Sequence, residues 1–378
     1  MRGHIRKYEG KKGTTWTAYY YLGYDANGKK KYSTKRGFRT HRDAETWLAQ
    51  LTTELHMGEY REPTDKTVSE FLEEWLDYKR DFVRARSIEI YSQTIQKRII
   101  PYIGKVKLRD LKPTHLRDLY STLQRKQKLS ARTVAQTHHM LHDALDRALK
   151  WEIVTRNVTD AVDPPRIAKK KFEIWTLDQV RNFLTHPSVL SHRFYVMFLL
   201  ALTTGMRHGE LLGLRWQDID LDNGRLSVRH NLSWVGNEYV LGPPKSESGE
   251  RDIIVPSAVI AALKAHKSRQ NEDRLKMHNA YVNRDLVICR INGDFVSETY
   301  LRKTFIRLTE QAGLPRIRVH DLRHTHASLL LELGAQMKVI QEQLGHSTLS
   351  TTADVYTHLS NKVKGVPADL LHTALFDL

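Results

Sequence analysis

Apolar positions along the chain change their spacing three times. Over residues 16–38 they gather into two aromatic and β-prone runs, WTAYYYLGYD and KKKYSTKRGF, on either side of DANGK. Asn27-Gly28 is a tight-turn dipeptide, so the runs predict paired strands. THRDAETWLAQLTTELHMG then switches to helical spacing. Trp47, Leu48, Leu51 and Leu55 share one face, Thr40 is placed to cap the start, and Gly58 can end the helix. After GEYREPTDK, four amphipathic runs follow: VSEFLEEWLDYK, SIEIYSQTIQKRIIPYI, PTHLRDLYSTLQRK and SARTVAQTHHMLHDALDRALKW. Ser87 and Ser130 are natural N-caps, and Pro113 suits a first helical turn. DPPRIAKKKFEIW reads as a second linker. Beyond it, TLDQVRNFL is a helix capped by Thr176, and HRFYVMFLLALTTGMRHGELLGLRW a longer, largely buried helical region. GRLSVRHNLSWVGNEYVLGPPKSESGERDIIVP alternates and turns as a three-stranded antiparallel sheet would. Helices fill most of the remainder. In VHDLRHTHASLLLELGA, Leu322, Leu329, Leu330, Leu331 and Leu333 call for a core.

The fold expected is mainly α with small antiparallel β-sheets, in three domains. Residues 1–62 form a sheet plus a helix, 67–163 a helical bundle, and 175–378 a mixed α/β domain. A length of 378 residues suits such a division better than one core.

Charge adds a partner to this picture. The formal net charge is +17, and residues 1–42 alone carry +10, with Glu9 and Asp25 their only acids. More than half of the excess thus lies on the small first sheet, interleaved with Trp16, Tyr19, Tyr20 and Tyr21. A basic, tyrosine-rich sheet fits a polyanion, DNA above all, better than it fits a solvated charged hairpin. The candidate contacts are Tyr19, Tyr21, Lys29, Lys30, Lys31, Lys35 and Arg36. MRGHIRKYEG lacks an apolar signal core, and no apolar run approaches the roughly 20 residues of a membrane span. A cytoplasmic protein without a membrane partner is expected. Cys289, the single cysteine, excludes internal disulfides and reads as a packed core residue within DLVIC.

The third domain sets polar groups among apolar neighbours. Arg207 and Glu210 are three apart, so the carboxylate can orient the guanidinium. His320 and Arg323 stand at a helix start, where unpaired backbone N–H groups favour an anion. Lys245 lies at a hairpin tip, His346 in a loop before a helix that Ser347 can cap, and Tyr356 ten residues further on. Arginine forks grip phosphate oxygens, histidine or lysine moves protons, and a tyrosine hydroxyl can attack phosphorus. Taken singly, each residue has an ordinary alternative: an ion pair, an exposed lysine, one tyrosine of 16. His320-Asp321-Leu322-Arg323-His324 also has zincin-like spacing. It lacks the glutamate beside the first histidine, and Arg323 would repel a cation, so no metal is expected. His138, His139 and His142 lie close together on one helix and read as surface or interface histidines; His324 and His326 read as structural.

Four segments, in order, resemble the signature boxes of the tyrosine recombinases, the phage-integrase family. TTGMRHGELLGLRW resembles the first arginine box and PPKSESGERDIIVP the lysine hairpin. HDLRHTHAS resembles the H-x-x-R box, and LGHSTLSTTADVYTH the closing box with its nucleophilic tyrosine. The resemblance spans about 200 residues, and the two preceding segments look like the family's arm-site and core-site DNA-binding domains. It implies a site-specific recombinase that integrates and excises a mobile element. Tyr356 would form a 3′-phosphotyrosyl link, and Arg207 and Arg323 would clamp the phosphate. Lys245 would protonate the leaving oxygen, His320 and His346 would assist, and Glu210 would support Arg207. It further implies double-stranded DNA with core and arm sites, a homotetramer on that DNA, a small excisionase, a host DNA-bending protein, and no cofactor. A type IB topoisomerase shares the chemistry but not the arm-like domain. A purely architectural DNA-binding protein would not need the complete residue set.

Overall fold

The computed structural model describes residues 3–10, 13–24, 28–57, 64–168, 173–244 and 247–345. Lys245, His346, Tyr356, Gly58 and the closing segment PADLLHTALFDL lie outside them. The chain divides into two compact units, 1–168 and 169–378. The fold is mainly helical, with small antiparallel sheets.

The first unit opens with an antiparallel sheet in the order β1 (Gly3–Gly10), β2 (Gly13–Tyr24), β3 (Lys30–Phe38). The two expected strands are β2 and β3. β1 was hidden in the sequence because GHIRKYEG carries charge rather than an apolar run. Helix α1 (His41–His56) starts where Thr40 accepts a hydrogen bond from the Asp43 N–H at 3.1 Å. It covers one face of the sheet. Trp47 packs on Phe38 with ring centroids 6.1 Å apart, and His41 lies edge-on to Trp16 at 4.8 Å.

The helices after Thr67 are α2 (Val68–Lys79), α3 (Ala85–Thr94), α4 (Ile100–Ile103), α5 (Pro113–Arg125) and α6 (Ala131–Lys150). Ser130 caps α6, as its position suggested. Ser87 does not cap α3. Arg84 takes the extended backbone before the helix, and the Ser87 N–H already donates to the Arg84 carbonyl, so Ser87 sits inside the first turn. A π turn, Ile95–Ile99, joins α3 to α4 just before Pro101, whose missing N–H interrupts the α-helical ladder. The core gathers Phe71, Trp75, Ile95, Ile99, Leu116 and Leu141. His138 belongs to this core and not to the surface: its Nδ1 meets the Tyr120 hydroxyl at 3.0 Å. Burial, then His139 and His142, lowers its pKa. His139 and His142 remain exposed.

In the second unit α7 (Leu177–Thr185), capped by Thr176, is followed by α8 (Pro187–Leu190) and α9 (Tyr195–Thr204). The long helical region expected here breaks at Gly205, whose φ of 65° ends α9, and resumes as α10 (His208–Leu212). The expected three-stranded sheet is two separate pieces. One is β4 (Ile219–Asp220), β5 (Arg225–Val228) and β8 (Arg251–Ile254); the other is the hairpin β6 (Asn231–Val235) and β7 (Glu238–Gly242). β8 and β4 occupy both edges of β5, so β6 and β7 pair with each other. The hairpin lies against α10 where Gly209 leaves room. A Cβ there would meet Asn231 Oδ1 at 2.5 Å and the Leu232 carbonyl at 2.9 Å.

Helices α11 (Ser257–Met277), α12 (Glu298–Gln311), α13 (Asp321–Glu332) and α14 (Met337–Leu344) complete the unit. Its core joins Trp175, Phe183, Phe198 and Phe305 to Leu322 and Leu329 of α13. Trp175 donates its indole N–H to the Pro315 carbonyl at 2.9 Å. Cys289 is buried, as expected, and burial pushes its thiol pKa up. Leu333 is not a core residue: at the end of α13 it is 71% exposed. Among the described residues no helix is long and apolar enough to cross a membrane.

Candidate active site

Arg207 immediately precedes α10, and Glu210 lies three residues on. The pair forms a capping arrangement in which Glu210 Oε2 accepts the Arg207 backbone N–H at 3.0 Å and Oε1 accepts Arg207 Nη1 at 2.7 Å. Glu210 is 1% exposed. Burial opposes its charge, but Arg251 and Arg207, through charge and hydrogen bonds, outweigh it and hold the carboxyl below its ordinary range.

α13 brings in the next groups from far along the chain. His320 precedes the helix and Arg323 sits in its first turn. Asp321, between them, is held by Arg318 through a two-point pair at 2.9 and 2.6 Å. Arg323 is buried. Nη1 donates to the Gly205 carbonyl and Nη2 to the Leu344 carbonyl, both at 2.7 Å. Arg207 Nη2 donates to the next carbonyl, Gly345, at 3.0 Å. Arg207 and Arg323 therefore meet at the C-terminal end of α14, directly before His346. Helix ends of this polarity attract cations. Burial first, then Arg207 and Arg251, lowers the Arg323 pKa to about 9, and the group stays charged at neutral pH.

His320 faces His324, with perpendicular rings 5.1 Å apart, and His208, at 6.4 Å. Partial burial of the ring, then His324, Arg323 and His208, moves its pKa down, although the residue as a whole is exposed and water tempers the effect. Its ring is neutral at pH 7 and able to accept a proton. His326 is structural, as its sequence context suggested. Nδ1–H donates to the Leu202 carbonyl at 2.9 Å, and Nε2 accepts from the Gln343 amide at 3.3 Å. Gly205 must be glycine beside it, since a Cβ would meet His326 Cδ2 at 2.5 Å.

This arrangement carries a pH prediction. Burial, and secondarily Arg323, pushes the His326 pKa down to about 4 against 6.5 unfolded. Between these values the unfolded chain holds a proton that the folded chain does not, so stability falls as pH drops from about 6.5 towards 4. Urea unfolding at pH 7 and pH 5 should show this loss. In His326→Asn, which keeps a donor for Leu202, the loss should shrink by about 1–2 kcal/mol. An unchanged loss would contradict the burial argument.

Sequence reasoning missed Arg251 and His208. Arg251 donates Nη2 to Glu210 Oε2 at 3.0 Å, and it is 41 residues from that partner, so no local spacing exposes the pair. Lys245 lies outside the described residues, but Gly249 and Arg251, just after it, reach the cluster. Among the described residues no group of three His, Cys, Asp or Glu could hold a metal ion.

On the N-terminal sheet the residues expected to touch DNA divide between faces. Tyr19, Tyr21 and Tyr32 line the face away from α1. His4 stacks on Tyr19 at 4.8 Å, the Arg6 guanidinium lies 5.8 Å from the Tyr19 ring, and Tyr21 meets Tyr32 at 5.5 Å. Lys30 alternates onto that face with Tyr32. Lys35 pairs with buried Ala18 and lies over Phe38, so it starts from the helix side. Lys29 and Arg36 are exposed, and Lys31 is half-buried opposite Gly23.

The second unit thus sets a cluster of arginines, Arg323 buried among them, into a helical fold with small antiparallel sheets, an arrangement that suits an anion. The phage integrase family matches residues 173–362, its N-terminal SAM-like domain residues 67–124, and an arm DNA-binding domain residues 4–55. A XerC-like tyrosine recombinase of Caldanaerobacter subterraneus subsp. tengcongensis is 27% identical over 363 residues, 91% of this chain and 92% of that protein. The Tn1549 transposon integrase bound to transposon right end DNA superposes with a TM-score of 0.69 at 20% identity, covering 81% of this chain and 99% of that one. A lambda integrase tetramer bound to a Holliday junction gives 0.55 at 18% identity, with 94% of each chain covered. The chain belongs to the phage integrase family. It is a tyrosine-type site-specific recombinase, an enzyme that cuts and rejoins DNA strands.

Proposed function

We propose that Tyr356 is the nucleophile of this recombinase and that Arg207, Lys245, His320, Arg323 and His346 complete its catalytic set, with Glu210 in support. Tyr356 attacks a DNA phosphodiester, forms a 3′-phosphotyrosyl bond and releases a 5′-hydroxyl. The free 5′-hydroxyl of a partner strand then displaces the tyrosine, so the bond energy is kept. Arg207 and Arg323 hold the non-bridging oxygens and stabilise their charge in the transition state. Lys245 protonates the leaving oxygen, His320 assists proton transfer to or from Tyr356, and His346 hydrogen-bonds the phosphate. The observation that carries this reading is the cluster itself: Arg207, Arg323 and Arg251 gather around Glu210 and, among the described residues, leave an excess of positive charge suited to an anion.

In the same reading residues 1–62 bind arm sites, 67–163 bind the core site and 175–378 cleave. Tyr19, Tyr21, Lys29, Lys30, Lys31, Lys35 and Arg36 supply the arm contacts. The substrates are double-stranded attachment sites of a mobile element, joined by a homotetramer in the bacterial cytoplasm, with an excisionase and a host DNA-bending protein setting direction. The test is recombination between two DNAs that carry the element's junctions with its host chromosome. The full chain is expected to exchange their flanks. A chain lacking residues 1–62 should fail on the long site and show a shallower salt dependence of binding, by about 0.9 in slope per lost phosphate contact. Relaxation of supercoiled DNA without exchange would favour a topoisomerase instead. Unchanged recombination by the shortened chain would remove the arm role.

A further inference from the structure

We propose that Arg251 is a positioning residue for strand cleavage, acting through Glu210 and the end of α14 on the two phosphate-clamping arginines. The proposal rests on the clamp reading of Arg207 and Arg323 given above. The geometry behind it is a row of three guanidinium groups on three successive carbonyls. Arg251 Nε donates to Gln343 O at 2.5 Å, Arg323 Nη2 to Leu344 O at 2.7 Å, and Arg207 Nη2 to Gly345 O at 3.0 Å.

The side chain of Arg251 is buried, as that of Arg323 is, and Arg251 differs from Arg207 in how fully it is engaged. Its Nη2 donates to Glu210 Oε2 at 3.0 Å, its Nη1 to Gly249 O at 2.9 Å, and its side chain is 8% exposed. Each of its nitrogens thus has an acceptor within the protein. Arg207, by contrast, keeps 26% of its side chain exposed. With all three nitrogens spent on acceptors of the protein, Arg251 holds its neighbours together.

What it holds is three separate segments. Gly249 follows Lys245 along the β8 approach, Glu210 orients Arg207, and Gln343 lies in the last turn of α14, the helix that precedes His346 in the chain. The join is tight: a Cβ on Gly345 would meet the Ser248 carbonyl at 2.5 Å and Arg251 Nη1 at 3.2 Å. One guanidinium fork can bridge carboxylate and carbonyls in fixed directions, whereas a lysine supplies only a point charge. Without the fork, Glu210 remains buried with Arg207 as its remaining hydrogen-bonded arginine, and two carbonyls lose their donors. Arg207 would follow Glu210 away from its place.

The test measures single-turnover cleavage and equilibrium binding on a nicked duplex carrying the element's junction sequence. Arg251→Met is expected to slow cleavage about 10²-fold, as small misplacements of catalytic groups do, while binding changes less than about threefold. Arg251→Lys, which retains a charge for Glu210, should recover part of the rate. Glu210→Gln combined with Arg251→Met should be no slower than Glu210→Gln alone, because the effect runs through the same carboxylate. Wild-type cleavage by Arg251→Met, or by folded Arg251→Lys where the methionine variant does not fold, would overturn the proposal. So would fully multiplicative losses in the double variant. Arg207→Ala is the control for the underlying reading. If it cleaves normally the clamp itself is wrong; if it is inactive while Arg251→Met and Arg251→Lys match wild type, the positioning role alone fails.

Discussion

Arg323→Ala and Arg207→Ala are each expected to lose at least about 10²–10³-fold in the rate of strand cleavage, the usual cost of removing one preorganised donor from developing charge. The larger loss should fall on Arg323. Its guanidinium also satisfies the Gly205 and Leu344 carbonyls from a buried position, so alanine leaves two backbone acceptors unpaired where α9 ends and α14 ends. Arg207→Ala instead frees Glu210, which Arg251 still holds. Both variants should keep much of their DNA binding, because the core and arm contacts proposed above lie in residues 1–163. Binding by gel shift, melting temperature and cleavage on one preparation would separate the effects. Normal cleavage by either variant would refute the clamp roles.

Tyr356→Phe should abolish covalent attachment to DNA and leave site binding intact. Phenylalanine keeps the ring and removes only the oxygen that would attack phosphorus. The expected effect is larger than for the arginines, since the variant has lost the attacking hydroxyl itself. A variant that still forms an adduct would move the nucleophile to another of the chain's 16 tyrosines.

Local chemistry was readable in the sequence, and contacts set by the tertiary fold were not. Thr40, Ser130 and Thr176 cap the helices they precede because an N-cap needs only its own side chain and the next turn. Arg207 and Glu210 were recognisable as a pair because three residues separate them. Ser87 misled, since Arg84 begins the helix a turn earlier. The β6–β7 hairpin separated from β5 because β8, arriving later in the chain, takes the free edge. His138 looked like its exposed neighbours until Tyr120, from another helix, closed over it. Arg251 was invisible for the same reason: its partners are Glu210 and Gln343, one far before it and one far after. The segments that hold Arg207 and Arg323 were legible in order, and folding supplied the place where the two arginines meet.

The measurement that bears most directly on the account is a denaturing gel of the wild-type protein incubated with nicked junction DNA, without metal or ATP, beside Tyr356→Phe. The account predicts a protein–DNA adduct in the wild-type lane alone, with both proteins shifting the same DNA in a native gel. No adduct from wild-type protein, at concentrations where the native gel shows the assembled complex on that DNA, would contradict it.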